Sequence, residues 1–157
     1  MLREYQKAGI AWLIEKDVGI LADDMGLGKT VQTIKAMEHL FDNEIIENCI
    51  IVAPLSLQKN WENEILKWAP SLRFERLRSS DTSNTAIMKI LGSSKIIITN
   101  YENLRNSSDF FKNFNFDLMI ADEVHKIRRT SSQISKGVFE FKKKRFWGLT
   151  GTPIENN

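Results

Sequence analysis

The sequence is poor in the residues that would mark a disulfide, zinc or strongly charged protein. Its 157 residues contain one cysteine, Cys49, so an internal disulfide is excluded, and the apolar run around it predicts a buried, inert thiol. The net charge of +2 is too small to indicate a nucleic-acid binder by itself. No Cys/His cluster has the spacing of a zinc site, and no serine lies in a nucleophile-elbow context.

Long apolar runs and linkers are also missing. No run approaches the roughly 20 residues that span a bilayer, and charges interrupt the N-terminal "MLREYQKAGIAWL", so it lacks the core of a signal peptide. We therefore expect no membrane contact and a reducing compartment, either the cytoplasm and nucleoid of a prokaryote or the nucleus of a eukaryote. Without repeats, Pro-rich linkers or low-complexity tails, the length predicts one domain.

What the chain does have is an alternation of short apolar strands and longer helices. The strands are "VGILA" and "KIIIT", both predicted to be buried, "CIIVAP", "DLMIADE" and "RFWGLT", with "RFERL" as an edge strand. Helical spacing of apolar residues predicts helices over residues 2–16, with Ala8, Trp12 and Leu13 in its apolar pattern, and over 30–41, 56–68, 82–91 and 132–141. In the helix over 56–68, Ser56 is the predicted N-cap, and one apolar stripe, interpreted as core, contains Leu57, Trp61, Ile65 and Trp68. This alternation predicts an α/β fold with a parallel sheet covered by helices on both faces.

A glycine-rich turn lies in "ILADDMGLGKT", residues 20–30, after one predicted strand and before a helix. The phosphate-loop consensus wants glycine where this chain has Asp23, but Gly26 and Gly28 keep the tight part of the turn. Backbone N–H groups and the helix N-terminus would hold phosphates. Lys29 would reach the β- and γ-phosphates of ATP, and Thr30 would bind Mg²⁺. Read alone, the stretch also fits an ordinary strand-to-helix turn.

A second signal is the apolar strand in "LMIADEVH", which ends in two acidic residues. Asp122 would belong to the Mg²⁺ shell, and Glu123 would orient or deprotonate the attacking water. An exposed acidic loop would also produce such a pair, but it would not explain a Gly-Lys-Thr turn at the same sheet edge. Together the two motifs predict nucleotide hydrolysis, with Glu123, Lys29 and Asp122 as the catalytic residues.

In order and through almost its whole length, the chain resembles the first RecA-like lobe of superfamily-two helicase-like ATPases. Within them it is most similar to the Swi/Snf class of double-stranded DNA translocases, on the strength of "LADDMGLGKT" and "LTGTPI". An acidic residue at the loop entry is usual in that class, which accounts for Asp23. The resemblance implies a three-layer P-loop NTPase (RecA-like) lobe with a central, mainly parallel sheet and helices on both faces. Residues 1–157 would then form a single N-terminal ATP-binding domain.

The resemblance also assigns roles to individual residues around ATP. "LREYQKAGIAWL" is similar to the adenine-side segment, whose glutamine is here Gln6. "DEVHKIRR" is similar to the DEAH box, although Val124 stands where alanine or glycine is usual, and "LTGTPIENN" is similar to the segment that couples ATP to DNA. The implied ATP-binding residues are Gln6, Asp24, Met25, Gly26, Leu27, Gly28, Lys29 and Thr30, and the implied coupling residues are His125, Thr150, Gly151 and Thr152.

Two further segments resemble the DNA-side segments of the family. They are "APLSLQKNWENEILKW" and "IIITNYENL", which imply phosphate contacts to double-stranded DNA through Ser56, Lys59, Asn60, Thr99 and Tyr101. These residues are expected in loops that follow strands. The basic run "KKKR" at residues 142–145 is interpreted as a solvated helix end, with phosphate contact as the alternative.

Two alternatives to a DNA-dependent translocase remain open from the sequence. One is an RNA helicase of the DEAD/DEAH type, and the other is a nucleotide-binding fragment without turnover. The family has a second RecA-like lobe, with an arginine that completes the ATP site, and that lobe is absent from this chain. We therefore expect the chain to hydrolyse ATP very slowly by itself and to need that lobe from the full-length protein.

Overall fold

Six strands form one sheet in the computed structural model, which describes residues 2–22, 28–123, 141 and 143–150. The sheet order is β1-β6-β5-β2-β4-β3, and every pairing is parallel. The predicted parallel sheet is therefore confirmed. The strands are β1 (Val18–Ala22), β2 (Cys49–Val52), β3 (Phe74–Arg76), β4 (Ile96–Thr99), β5 (Phe116–Ala121) and β6 (Lys143–Thr150).

Helices follow the strands in the order that the apolar pattern predicts. They are α1 (Glu4–Glu15), α2 (Lys29–Asp42), α3 (Leu55–Trp68), α4 (Asn84–Ser93), α5 (Tyr101–Asn106) and α6 (Ser108–Asn113). The two short helices α5 and α6 were not predicted. None of the helices in the described ranges is long and apolar enough to cross a bilayer.

Two hydrophobic clusters cover the two faces of the sheet. One joins α1, α2 and α3 to the sheet through residues such as Leu13, Met37, Trp61 and Ile51. The other joins α4, α5 and α6 to the sheet through residues such as Ile87, Leu104, Phe111 and Ile50. Successive residues of β2 thus point to opposite clusters, as the two-residue repeat of a strand requires. The predicted three layers are confirmed.

The first strand and helix are less buried than predicted. β1 was predicted to be buried, but it forms an edge of the described sheet, where Val18 is 70% and Ile20 is 38% exposed. In α1, Leu13 is buried, whereas Ala8 and Trp12 are exposed. The prediction failed because a peripheral helix on an edge strand needs only a narrow apolar stripe. β3 lies at the opposite edge, as predicted.

Three local predictions also change. Ser56 does not cap α3, since Pro54 is the N-cap and the helix begins at Leu55. Residues 143–145 begin β6 and do not end a helix, so the interpretation of the basic run was wrong. There Lys144 pairs with Asp117 at 3.2 Å, and Arg145 donates to the carbonyl of Ile14 at 3.0 Å. The predicted helix at 132–141 lies outside the described residues, apart from Phe141.

Candidate active site

The carboxyl ends of the parallel strands bring the two predicted motifs to one edge of the sheet. β1 ends at Ala22, directly before the glycine-rich turn, and β5 ends at Ala121, directly before Asp122. Only β6 separates these two strands. Burial raises the pKa of Asp122, and the positive charge of Lys29, the first residue of α2, is one of the interactions that oppose this rise. The loop lysine and the strand-end carboxylate therefore belong to the same site.

The start of α2 has the geometry of an anion site. Gly28 is its N-cap and has a left-handed backbone, with φ 81° and ψ 30°. The first intrahelical bond runs from the N–H of Gln32 to the carbonyl of Gly28 at 3.0 Å, so the N–H groups of residues 29–31 have no acceptor within the helix. These donors and the positive end of the helix dipole are suited to phosphate oxygens.

Gln6 lies against this turn. Its Oε1 accepts a hydrogen bond from the N–H of Arg3 at 2.9 Å, which fixes the side chain at the start of α1. A Cβ atom built on Gly28 would overlap Nε2 of Gln6, so the amide sits directly beside the last residue of the loop. The structure thus brings the adenine-side glutamine and the phosphate-loop glycine together, although they are far apart in the sequence.

Asp122 is held at all four of its polar atoms. Its N–H donates to the carbonyl of Val52 at 2.8 Å, and its Oδ1 accepts from the N–H of Glu123 at 2.8 Å. Its Oδ2 accepts from Nε1 of Trp61 at 2.8 Å, and its carbonyl accepts from the hydroxyl of Tyr101 at 2.7 Å. The carboxylate is therefore fixed in position before any ligand arrives.

The surroundings of Asp122 have opposing effects on the pKa of its carboxyl group. Burial raises the pKa of its carboxyl group, while the hydrogen bonds from Trp61 and Glu123 and the charge of Lys29 oppose that rise. The same burial, together with the charges of Asp122 and Glu123, raises the pKa of Tyr101, so its hydroxyl is a donor at neutral pH. Glu123 has a left-handed backbone, φ 51°, which turns the chain sharply after Asp122.

The donor set fits Mg²⁺. A carboxylate has about four lone-pair sites, and the two described bonds to the Asp122 oxygens leave about two for a cation or its water. The Thr30 side chain is partly exposed in the first turn of α2. Carboxylate and hydroxyl oxygens are ligands that Mg²⁺ accepts. Thr30 and Asp122 are thus the residues of the described chain that would hold the ion.

The structure describes only some of the other predicted site residues. Thr150 ends β6, is buried, and is paired in register with Ala22, the last residue before the phosphate loop. That position is consistent with its predicted coupling role, which stays a prediction. Seven predicted site residues lie outside the described ranges: Asp24, Met25, Gly26, Leu27, His125, Gly151 and Thr152.

The predicted DNA contacts divide into two groups. Ser56, Lys59 and Asn60 are exposed, but they lie on α3 and not in the loop that was expected. Thr99 is the last residue of β4 and is fully buried, so its side chain cannot reach DNA, and that prediction was wrong. Tyr101 begins α5, is partly buried, and directs its hydroxyl to Asp122, not to a loop surface.

Sequence reasoning missed the two side chains that hold Asp122. Trp61 was predicted only as part of the apolar stripe of α3, and it is indeed fully buried. A buried tryptophan still needs a partner for its indole N–H, and that need was the available signal. α3 follows β2, and β2 lies beside β5 in the sheet. The acidic residue directly after β5, Asp122, was therefore a partner to expect for Trp61.

Comparison with known proteins identifies the family of this arrangement. Residues 5–157 match the SNF2-related domain. The chain is 37% identical to "DNA excision repair protein ERCC-6-like" of Danio rerio, over 99% of this chain and 12% of that protein. It is 38% identical to "SWI/SNF-related matrix-associated actin-dependent regulator of chromatin subfamily A member 1" of Homo sapiens, over 99% of this chain and 16% of that protein.

A solved structure shows the same fold. The "Sulfolobus solfataricus SWI2/SNF2 ATPase core in complex with dsDNA" superposes with a TM-score of 0.86 and 34% identity, over 100% of this chain and 33% of that one. The chain spans 8% to 16% of the length of the curated relatives that it matches. The RecA-like fold and the Swi/Snf resemblance inferred from the sequence are therefore confirmed, and the chain belongs to the SNF2-related domain family of ATPases.

Proposed function

We propose that this domain binds Mg·ATP and, within the full-length protein, hydrolyses it in a DNA-dependent reaction that drives movement along duplex DNA. One observation carries the proposal: Lys29 at the start of α2 and the Asp122–Glu123 turn after β5 meet at one sheet edge, where the charge of Lys29 favours the carboxylate of Asp122. A phosphate-binding cation and an acidic turn in that relation are what phosphoryl transfer to water requires.

Each side chain then has a chemical task. Gln6, beside Gly28, recognises the adenine side, while Lys29 and the first N–H groups of α2 bind the β- and γ-phosphates. Mg²⁺, when bound, neutralises charge on the phosphate oxygens. Glu123 orients the attacking water and accepts its proton, and the fixed position of Asp122 means that little reorganisation is needed during the reaction.

The DNA half of the proposal rests on α3 and on the relatives. Ser56, Lys59 and Asn60 present an exposed polar and basic surface on the first two turns of that helix. A structural neighbour was solved with double-stranded DNA, and several relatives are named for DNA repair or chromatin. We infer that the domain contacts the phosphate backbone of duplex DNA and acts on chromosomal DNA in the nucleus or nucleoid. An RNA helicase of the DEAD/DEAH type is not favoured by these relatives.

A second RecA-like lobe is part of the proposal. We expect it in the full-length protein, where its arginine would face the γ-phosphate from the side opposite Lys29. In related phosphoryl-transfer sites such an arginine is worth about 10³–10⁵ in rate. Residues 1–157 should therefore act as one ATP-binding domain with very slow turnover of its own.

The test compares ATP turnover by the full-length protein with no nucleic acid, with duplex DNA and with duplex or single-stranded RNA. We expect duplex DNA to raise turnover at least about tenfold, RNA to raise it little, and the isolated 157-residue chain to respond to neither. Stimulation by RNA alone would replace the DNA assignment. Brisk, DNA-stimulated turnover by the isolated chain would show that one lobe completes the site without the second.

A further inference from the structure

Two helices, one on each face of the sheet, hold the same turn of the ATP site. Trp61 of α3 donates its indole N–H to Oδ2 of Asp122 at 2.8 Å. Tyr101, the first residue of α5, donates its hydroxyl to the carbonyl oxygen of Asp122 at 2.7 Å. One bond fixes the side chain and the other fixes the main chain, directly before Glu123.

Breaking these bonds is energetically unfavourable. Trp61 is fully buried, so an indole N–H that lost its partner there would have no water to replace it. Asp122 is also tied to Val52 of the neighbouring strand. Any shift of α3 or α5 relative to the sheet must therefore either move the Asp122–Glu123 turn or break one of these bonds.

One of these helices, α3, carries the candidate DNA surface. Ser56, Lys59 and Asn60 are exposed and precede Trp61 by one to five residues, on the first turns of α3. A helix of this length moves as a nearly rigid unit, so a force on Lys59 reaches Trp61 without a flexible linker between them. Tyr101 supports the same turn from α5, whose start is fixed because the side chain of Asn100 accepts a hydrogen bond from the N–H of Asn103 at 2.8 Å.

We propose that Trp61 and Tyr101 are positioning residues for the Asp122–Glu123 turn, and that Trp61 transmits duplex binding on α3 to that turn while Tyr101 holds its main chain, so that together they set how strongly DNA stimulates hydrolysis. This inference rests on the proposed function, because it needs a duplex on the α3 side. Neither residue touches ATP in the proposal. Both act through Asp122, whose alignment determines the position of Glu123 and of the cation that Asp122 would help to hold.

A matched pair of tryptophans on one helix allows a sharp test. Trp61→Phe keeps an aromatic ring in the core and removes the indole donor together with part of the side-chain volume. Trp68→Phe makes the same change at the last residue of α3, where Nε1 donates to Glu64 at 2.9 Å, away from Asp122. In the full-length protein we expect Trp61→Phe to reduce the stimulation by duplex DNA about tenfold, while Trp68→Phe retains it.

Binding measurements separate positioning from a general loss of structure. Duplex affinity of Trp61→Phe should stay close to that of Trp68→Phe, whereas its melting temperature should fall further, because Trp61 is fully buried and Trp68 is partly exposed. Binding of a non-hydrolysable fluorescent ATP analogue should need several times more Mg²⁺ for half-saturation in Trp61→Phe than in Trp68→Phe. Tyr101→Phe should also reduce the stimulation, with a smaller effect on the Mg²⁺ requirement because its bond is to the main chain.

The outcomes distinguish the two proposals. If duplex DNA stimulates the wild type, Trp61→Phe and Tyr101→Phe to the same degree, the coupling is overturned and the proposed function stands. Absence of stimulation in the wild type would overturn the proposed function and with it the DNA part of the coupling. The Mg²⁺ titration, which needs no DNA and no turnover, would then decide whether Trp61 positions Asp122: equal requirements in both tryptophan variants would refute it.

Discussion

The amide of Gln6 occupies the space that a side chain on Gly28 would need. Gly28 also has a φ of 81°, which residues with a Cβ adopt at a cost. Both constraints act on one residue, directly before Lys29. Glycine at this position therefore allows the close approach of α1 to the end of the phosphate loop without backbone strain and without displacing the Gln6 amide.

Gly28→Ala should consequently damage both stability and nucleotide binding. We expect a loss of about 1–3 kcal/mol in the free energy of unfolding and a drop of at least about tenfold in affinity for a fluorescent ATP analogue. Gly92→Ala is the control, since nothing lies within 4 Å of its added Cβ and it lies in α4, where alanine stabilises by up to about 1 kcal/mol. Equal affinities of the two variants would show that the contact is dispensable.

Lys29→Ala should reduce ATP affinity about ten- to hundredfold, because it removes the cation that the site offers to the β- and γ-phosphates. Lys35→Ala is a matched control on the same helix, since the Lys35 ammonium bonds to Glu38 at 2.7 Å and faces away from the turn towards the carbonyl of Trp68. Equilibrium titration with the fluorescent analogue compares them. Similar affinities would contradict the phosphate-binding role of Lys29.

Glu123→Gln should bind ATP normally and lose turnover by about 10²–10⁴ in the full-length protein, since an amide cannot accept the proton of the attacking water. Glu102→Gln, at an exposed position in the first turn of α5, makes the same change outside the site and should keep its turnover. Analogue binding and steady-state hydrolysis are measured on both. Near-normal hydrolysis by Glu123→Gln would assign the base to another residue.

Lys59→Ala should weaken duplex binding evenly across DNA sequences and reduce the slope of log affinity against log salt by about 1, as expected for the loss of one phosphate contact. Lys67→Ala is the control, because Lys67 is exposed in the last turn of the same helix, where its ammonium lies over the ring of Trp68. Fluorescence anisotropy at several salt concentrations gives both slopes. An unchanged slope for Lys59→Ala would remove this residue from the DNA surface.

Glu44→Gly should stabilise the domain by about 0.5–1 kcal/mol. α2 ends with bonds from the N–H of Glu44 to the carbonyl of Phe41 and from the N–H of Ile45 to that of Leu40, and Glu44 has a φ of 57°. Glycine is preferred at this left-handed position. Glu44→Ala retains the backbone cost and should give no such gain in thermal or urea unfolding, so equal stabilities of the two variants would exclude backbone strain as the cause.

Much of this architecture was predictable because burial on both sides leaves a strong pattern in the sequence. The run that became β2 is apolar at every position and that of β4 is apolar up to its last residue, Thr99, as expected for strands covered on both faces, and the acidic pair after β5 marked the carboxyl edge. Lys29 and Asp122 could be placed together since the ends of neighbouring parallel strands share one edge.

Other features leave no such pattern. α5 and α6 have six residues each, too few to show a helical repeat, so Tyr101 looked like a loop residue. Periodicity predicts which side chains are buried but not which polar atoms they contact, so Trp61 was correctly placed in the core while its bond to Asp122 was missed. The exposure of β1 depends on its edge position, which strand order decides and local sequence does not.

The pairing of β1 with β6 also has a consequence for biosynthesis. β1 begins at Val18, and its neighbour in the described sheet, β6, ends at Thr150, so the strand that leads into the phosphate loop waits for a partner made more than 120 residues later. On the ribosome, β2, β4 and β5 can pair before β6 has emerged, whereas β1 cannot take its place. The sheet edge that leads into the phosphate loop can therefore be completed only after β6, the last strand of the described sheet, has been made.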